Sequence, residues 1–204
     1  MTDLHIEILT SEDARELARL HRAAFPSFFL SSLGEPFLRQ FYAGFADDDS
    51  AVALVAKDSS GRAVGAIVGT VEPAGYFSRL LRSRLFGFGL ASARAVFRRP
   101  RSASRLVRAV AYRGSEAAPS GGALLSSICV SPSVRGTGAG RLLLDRWERA
   151  VSERSVETAF LTTDAEANQA VNAFYQAAGW QLDGTFCTRE GRPMNRYTKR
   201  LRSS

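Results

Sequence analysis

The sequence predicts an α/β fold, a mixed central sheet of about seven strands covered by helices, with an Arg-rich helical insertion. Three observations carry this. Apolar runs of strand length alternate with segments of helical period, in the order β-α-α-β-β-(basic segment)-β-α-β-α-β-β. The 204 residues are 45% hydrophobic and 23% charged, which suits one domain over 1–204 with its own core. No internal repeat is visible, and the one shift in composition, at about 74–116, is a run of arginines.

Each element has its own signal. His5 to Leu9 alternates as a short strand. Thr10 or Ser11 caps a helix with Glu12 and Asp13 in its first turn and Leu17, Leu20, Ala24 and Phe25 at helical spacing, stopped near Pro26. Phe28, Phe29, Leu30 and Leu33 read as a connector. Glu35 to Phe45 is a second helix, with Pro36 in its first turn and Phe37, Leu38, Phe41, Tyr42 and Phe45 on one stripe. Ala51 to Lys57 and Ala63 to Glu72 are strands joined by the turn Asp58–Gly61. In the basic segment Phe77, Leu81, Leu85 and Phe88 share a helical face, and Leu106, Val107, Val110 and Ala111 suggest another short helix. Ala123 to Val130 is a strand. Gly138 to Arg154 is a helix with Leu142, Leu143, Trp147 and Val151 on one side. Thr158 to Thr163 is a strand, and Asn168 to Ala178 a helix stopped by Gly179. Trp180 to Arg189 and Met194 to Leu201 close as a hairpin.

Composition narrows the class. Cys129 and Cys187 make no disulfide framework, and no Cys/His cluster has metal-ligand spacing, so no metal is expected. MTDLHIE has no apolar signal segment, and the longest uncharged run, Ala117 to Val134, contains Pro119 and Pro132. The expectation is a cytoplasmic protein. Charge is uneven: 25 of 27 basic residues are Arg, and ten of these lie between Ala74 and Ser115 with no acid among them. The other 17 basic residues face 20 acids, so the body is slightly acidic.

The most informative stretch is Ile128 to Leu144. A strand ends at Val130, Pro132 turns the chain, and Arg135-Gly-Thr-Gly-Ala-Gly140 opens an apolar helix. Successive glycines let backbone N–H groups converge, and the helix N-terminus adds a positive dipole, which makes a pyrophosphate cradle. No Gly-Lys-Ser/Thr follows, so it is not a Walker A loop, and the glycine spacing is not the dinucleotide fingerprint. A ligand-free strand-to-helix turn is the plain alternative.

VSPSVRGTGAGRLL resembles the signature of the GNAT superfamily of acyl-CoA N-acyltransferases, (Arg/Gln)-x-x-Gly-x-(Gly/Ala), through Arg135, Gly138 and Gly140. LTTDAEANQAVNAFYQAAGW resembles the family's second motif through Asn168, Tyr175, Gly179 and Trp180. The resemblance covers roughly Ala123 to Leu201. It implies a splayed sheet, acetyl-CoA as acyl donor, and a small-molecule amine as acceptor. It places the pantetheine arm at Ile128, Cys129 and Val130. The pyrophosphate falls on the N–H groups of Gly136, Thr137, Gly138, Ala139, Gly140 and Arg141, with Arg135 flanking and Asn168 bonding the arm or the next strand. Tyr175 becomes the general acid for the leaving thiolate; its plain alternative is a packed aromatic, and that of Asn168 is a helix N-cap. Many members carry a carboxylate on the fourth strand, and this chain has none there. Glu72, Asp164, Glu190 and His21 are the candidate bases, each with a plainer reading as a solvated or capping residue. Cys129, with no basic neighbour in its strand, reads as a core residue and not a nucleophile.

The implied activity is N-acetyl transfer to a primary amine. The alternative is a non-catalytic CoA-binding sensor. AFPSFFLSSLGEPFLRQFY followed by a basic insertion is similar to GNAT proteins of surface-polysaccharide clusters and points to an amino sugar. The segment 74–115 is either a solvated helix pair or a surface for an anionic membrane or a phosphate-bearing acceptor, which would make the protein peripheral to the membrane. No motif supports nucleic-acid binding.

Overall fold

The computed structural model describes residues 4–26, 29–84, 122–188 and 191–201. Seven strands form one sheet: β1 (His5–Ile8), β2 (Ala51–Lys57), β3 (Ala63–Thr70), β4 (Ala123–Val130), β5 (Thr158–Asp164), β6 (Gln181–Cys187) and β7 (Pro193–Arg200). Their order is β1-β2-β3-β4-β5-β7-β6. Every pairing is antiparallel except β4 with β5. The helices are α1 (Ala14–Ala24), α2 (Phe29–Ser32), α3 (Glu35–Ala46), α4 (Tyr76–Ser83), α5 (Ala139–Ser152) and α6 (Gln169–Ala177).

The sheet separates two cores. On one face α1, α3 and α4 pack Leu17, Phe37, Phe41, Phe45, Tyr76, Phe77 and Leu80 against β2 and β3. On the other, α5 and α6 bring Leu143, Leu144, Trp147 and Tyr175 together with Trp180 and Tyr197. Each of the three buried Phe of the α3 stripe contributes about 1.5–3 kcal/mol relative to exposure. β3 is buried along its whole length, as a central strand covered on both faces should be. At Gly69 a Cβ would meet the Leu124 carbonyl at 2.3 Å and the Trp147 ring at 2.5 Å. The glycine therefore lets α5 sit close to the sheet, beside the register shift between Val68 and Gly69.

Several details differ from the sequence reading. α1 starts at Ala14, with Asp13 as its N-cap residue. The Asp13 carboxylate accepts from both the N–H and the hydroxyl of Thr10 at 2.9 Å, so Thr10 closes the preceding turn and does not cap the helix. The aromatic connector contains the short α2. On α5 Leu142 is exposed and Leu144 takes its place in the core, because Leu143, Leu144, Trp147 and Val151 fall within about 100° of the helix and Leu142 lies about 100° further round. On α4 the buried side chains are Tyr76, Phe77 and Leu80, while Leu81 is half-buried. Leu85, Phe88, Leu106, Val107, Val110, Ala111 and the seven insertion arginines from Arg94 to Arg113 lie outside the described residues. Among the described residues, no helix is long and apolar enough to cross a membrane, and no group of three or more His, Cys, Asp or Glu could hold a metal ion.

Candidate active site

β4 and β5 pair only at Ala123–Ala159 and Leu124–Phe160. Beyond Leu124 the two parallel strands diverge, and the rest of β4 is laddered to β3 alone. Register decides which main-chain groups face the gap. The N–H of Ser131 donates to the Val64 carbonyl at 2.7 Å, in line with the Gly65–Val130 and Ala66–Cys129 pairing. Hydrogen-bonded and non-bonded pairs alternate in an antiparallel ladder. The main-chain groups of Cys129 therefore point to β3, and those of Ile128 and Val130 point into the gap. Their side chains pack with α5 and α6. The Cys129 side chain points to the opposite face, among α1 and α3.

The chain leaves β4 through a 3-10 turn, Pro132–Val134, closed by the Ser131 hydroxyl accepting from the N–H of Ser133. Gly136 and Gly138 then take φ of +78° and +88°, a region that side chains disfavour. A Cβ on either would meet nothing within 4 Å. Gly138 is the N-cap of α5. The first N–H groups of that helix have no intrahelical acceptor, so the head of the helix offers donors and its positive end. Thr137, expected among the donors, departs from that reading: its N–H and hydroxyl both donate to the Val134 carbonyl, at 3.4 and 2.8 Å, and close the preceding turn. Gly140 differs: its Cβ would point back at Phe174, at 3.7 Å. The Arg141 side chain turns away, to Asp145 at 2.8 Å and to the Ala177 carbonyl at 3.2 Å, tying the loop to α6. Arg135 donates to the Ala24 carbonyl at 3.2 Å, which links the loop to the end of α1.

Tyr175 sits on α6 in the same core as Ile128 and Val130, edge-on to Trp180 and beside Tyr197. Burial pushes its phenol well above the ordinary 10, so it stays protonated. Asn168 precedes α6 but makes no side-chain cap. Its amide donates to the Thr163 hydroxyl at 2.7 Å and to the Asp164 carbonyl at 3.3 Å, holding the end of β5.

The candidate bases separate. Glu72 follows Thr70, which pairs with Leu124 at the far end of β4. Six strand residues, about 20 Å, divide that end from Val130, so Glu72 is remote from the gap. It pairs with Arg79 instead. Asp164 ends β5 on the correct side and is held by Arg192. Glu190 lies outside the described residues. His21 is not a surface or capping residue: it is 1% exposed, with Nδ1 2.8 Å from the Tyr42 hydroxyl. That hydroxyl lies 3.4 Å from Cys129 Sγ. Burial pushes the Cys129 thiol up to about 11, as befits a core cysteine. The role of Tyr42 was missed in sequence, where it reads as one more aromatic of the α3 stripe; the available signal was a single hydroxyl among Phe and Leu.

The splayed end of the parallel pair and the glycine loop at the head of the following helix thus lie at the same end of β4. The acetyltransferase (GNAT) family model matches residues 14–180, and the chain belongs to that family, the acyl-CoA-dependent N-acetyltransferases that use acetyl-CoA as donor. The fold is similar to that of the ribosomal-protein-S18-alanine N-acetyltransferase from Escherichia coli, with 14% identity over 99% of this chain and 96% of that one and a TM-score of 0.61. It is also similar to a GNAT acetyltransferase from Streptococcus pneumoniae (17% identity, 98% and 100% covered, TM-score 0.60). The aminoglycoside 6'-acetyltransferase type Ii matches at 16% identity over 98% and 99% of the two chains, with a TM-score of 0.63. Among curated proteins, none matches this sequence.

Proposed function

We propose that this protein transfers the acetyl group of acetyl-CoA directly to the primary amine of a small acceptor, with an amino sugar as the favoured class. The observation that carries the reading is the gap beyond Leu124, which opens Ile128 and Val130 main-chain donors beside the glycine loop at Gly136–Arg141. The loop binds the pyrophosphate and the strand end takes the pantetheine arm. As the amine attacks the thioester carbonyl, an N–H of Ile128 or Val130 stabilises the oxyanion. Tyr175, protonated by virtue of its burial, gives its proton to the departing thiolate, while the proton shed by the attacking amine passes to solvent water, from which Tyr175 is reprotonated. Asn168 keeps β5 in place on the other wall. The amino-sugar class draws support from the sequence of residues 24–42 and from two structural neighbours whose acceptors are sugars, the aminoglycoside acetyltransferase and a fungal glucosamine N-acetyltransferase region. These support it by analogy of fold.

Acetyl-CoA should raise the melting temperature, with about 2.7 kcal/mol of added stability at a hundredfold excess over Kd, and DNA should not. A panel of amino sugars, aminoglycosides, amines and peptides, read by thiol release, then names the acceptor. No thermal shift with acetyl-CoA overturns the donor; release only with peptides overturns the amino sugar.

A further inference from the structure

Past Leu124, β4 has a ladder neighbour on one edge only, yet its last residues must present two N–H groups at a fixed angle. A strand held on one edge can tilt about that edge unless side chains tie it down. One such tie crosses the core on the face away from α5. The Tyr42 hydroxyl of α3 lies 2.8 Å from Nδ1 of His21 on α1 and 3.4 Å from Sγ of Cys129 on β4, and it also hydrogen-bonds the side chain of Ser127. His21, Tyr42 and Cys129 are each at most 3% exposed. Two helices and the free end of β4 thus meet at one buried hydroxyl. Around it the α3 stripe is apolar: Phe37, Leu38, Phe41 and Phe45. A buried hydroxyl costs desolvation that a phenylalanine would avoid, and it is offset only when its partners are well placed. The arrangement also specifies one register, since a one-residue slip of β4 would turn Ser127 and Cys129 to the other face of the sheet.

We propose that Tyr42, braced by His21, is a positioning residue that holds the Ser127–Val130 end of β4 so that the N–H groups of Ile128 and Val130 stay aimed into the gap, one of them at the thioester carbonyl of acetyl-CoA. The proposal rests on the donor reading above. Tyr42 touches no reacting atom; it acts through Cys129 and Ser127, whose side chains lie on one face of the sheet while the N–H groups of the neighbouring Ile128 and Val130 point along the sheet into the gap.

The test needs no acceptor. Acetyl-CoA labelled with carbon-13 at the acetyl carbonyl is bound to the full chain, and the carbonyl stretch is read by isotope-edited infrared spectroscopy. A hydrogen bond to that oxygen lowers the frequency. The wild-type protein should show the downshift. Tyr42→Phe keeps the ring and drops the hydroxyl; most of the downshift should vanish while the calorimetric Kd for acetyl-CoA changes less than threefold, because the loop is untouched. Cys129→Ser, which still offers Tyr42 a partner, should keep the downshift, and Cys129→Ala should lose part of it. That pair carries the test if Tyr42→Phe does not fold. An undiminished downshift in Tyr42→Phe, or identical spectra for the Ser and Ala variants, overturns the proposal. A role in stability alone would lower the melting temperature and leave the stretch where it was. Absence of acetyl-CoA binding to the wild-type chain is a different result, and it removes the donor reading itself.

Discussion

Gly138 and Gly140 have the same sequence signature and opposite structural duties, so replacing each with alanine separates backbone strain from space. Gly138 has φ +88° and ψ −2°, and its Cβ would stand in open space above the loop. Forcing an L side chain into that region costs about 1–2 kcal/mol. For a chain of this size, each kcal/mol moves Tm by about 2–4 °C, so Gly138→Ala should lower it by about 2–8 °C. Its added methyl also enters the space assigned to the pyrophosphate, and the Kd for acetyl-CoA should rise at least about tenfold, which is about 1.4 kcal/mol. Gly140 lies inside the first turn of α5, and its Cβ would meet Phe174 and Val130 at 3.7 and 3.9 Å, ordinary contact distances. Alanine there removes the helix cost of glycine, up to about 1 kcal/mol, and adds packing. Gly140→Ala should therefore hold or raise Tm, with Kd within about threefold. Thermal melts and calorimetric titration of both variants decide the matter. An unchanged Tm in Gly138→Ala refutes the strain argument, and an unchanged Kd in that variant refutes the loop as the pyrophosphate site.

Tyr175→Phe should lower kcat about tenfold or more, in the range of an acid–base group, with acetyl-CoA affinity nearly intact. Because burial raises its pKa above 10, any loss of wild-type activity from its ionisation should fall above pH 10; wild-type kcat in the variant would make Tyr175 a packing residue. A disulfide reagent should titrate one thiol rapidly in the native protein, the exposed Cys187, and Cys129 only on unfolding; two fast thiols would contradict the buried tie. The Asp58 carboxylate is held down to about 2, first by the Ser60 hydroxyl and then by Arg62. Its contribution is complete above the unfolded pKa near 4 and is lost as pH falls through about 2. Asp58→Asn should therefore be less stable than wild type at pH 7 and approach it near pH 2, as followed by urea unfolding across that range.

The basic segment shows how local pattern and tertiary context part company. In sequence Arg79, Arg82 and Arg84 open the acid-free run of ten arginines, with Arg79 and Arg82 opposite the apolar face of the first helix. In the fold Arg79 donates to the carbonyls of Glu72 and Ala74, and Arg84 bonds Gln40, the Ala43 carbonyl and Asp47. Both fasten α4 to its surroundings, and of the three only Arg82 extends without such a bond in the described contacts. An anionic partner for 74–115 would have to draw mainly on arginines outside the described residues.

Much of the architecture follows from local physics that a sequence displays. The strand β4, the helix α3 with its Phe stripe, the Asp58–Gly61 turn and the Gly179 stop are set by side-chain period and by residues suited to turns, and these act over a few positions. The glycine loop was legible for the same reason. What tertiary structure alone decided depends on long-range pairing. The insertion of β7 between β5 and β6 satisfies the same hairpin as the reverse order would, so no local signal distinguishes them. The gap between β4 and β5 is a matter of where two strands stop pairing. The orientation of Cys129 and Ile128 to opposite faces follows from strand alternation, but their partners come from α1, α3, α5 and α6. His21 read as a surface group because a helix face is ambiguous until something packs on it; the arrival of Tyr42, 21 residues away, and Cys129, a further 87, made it part of the core.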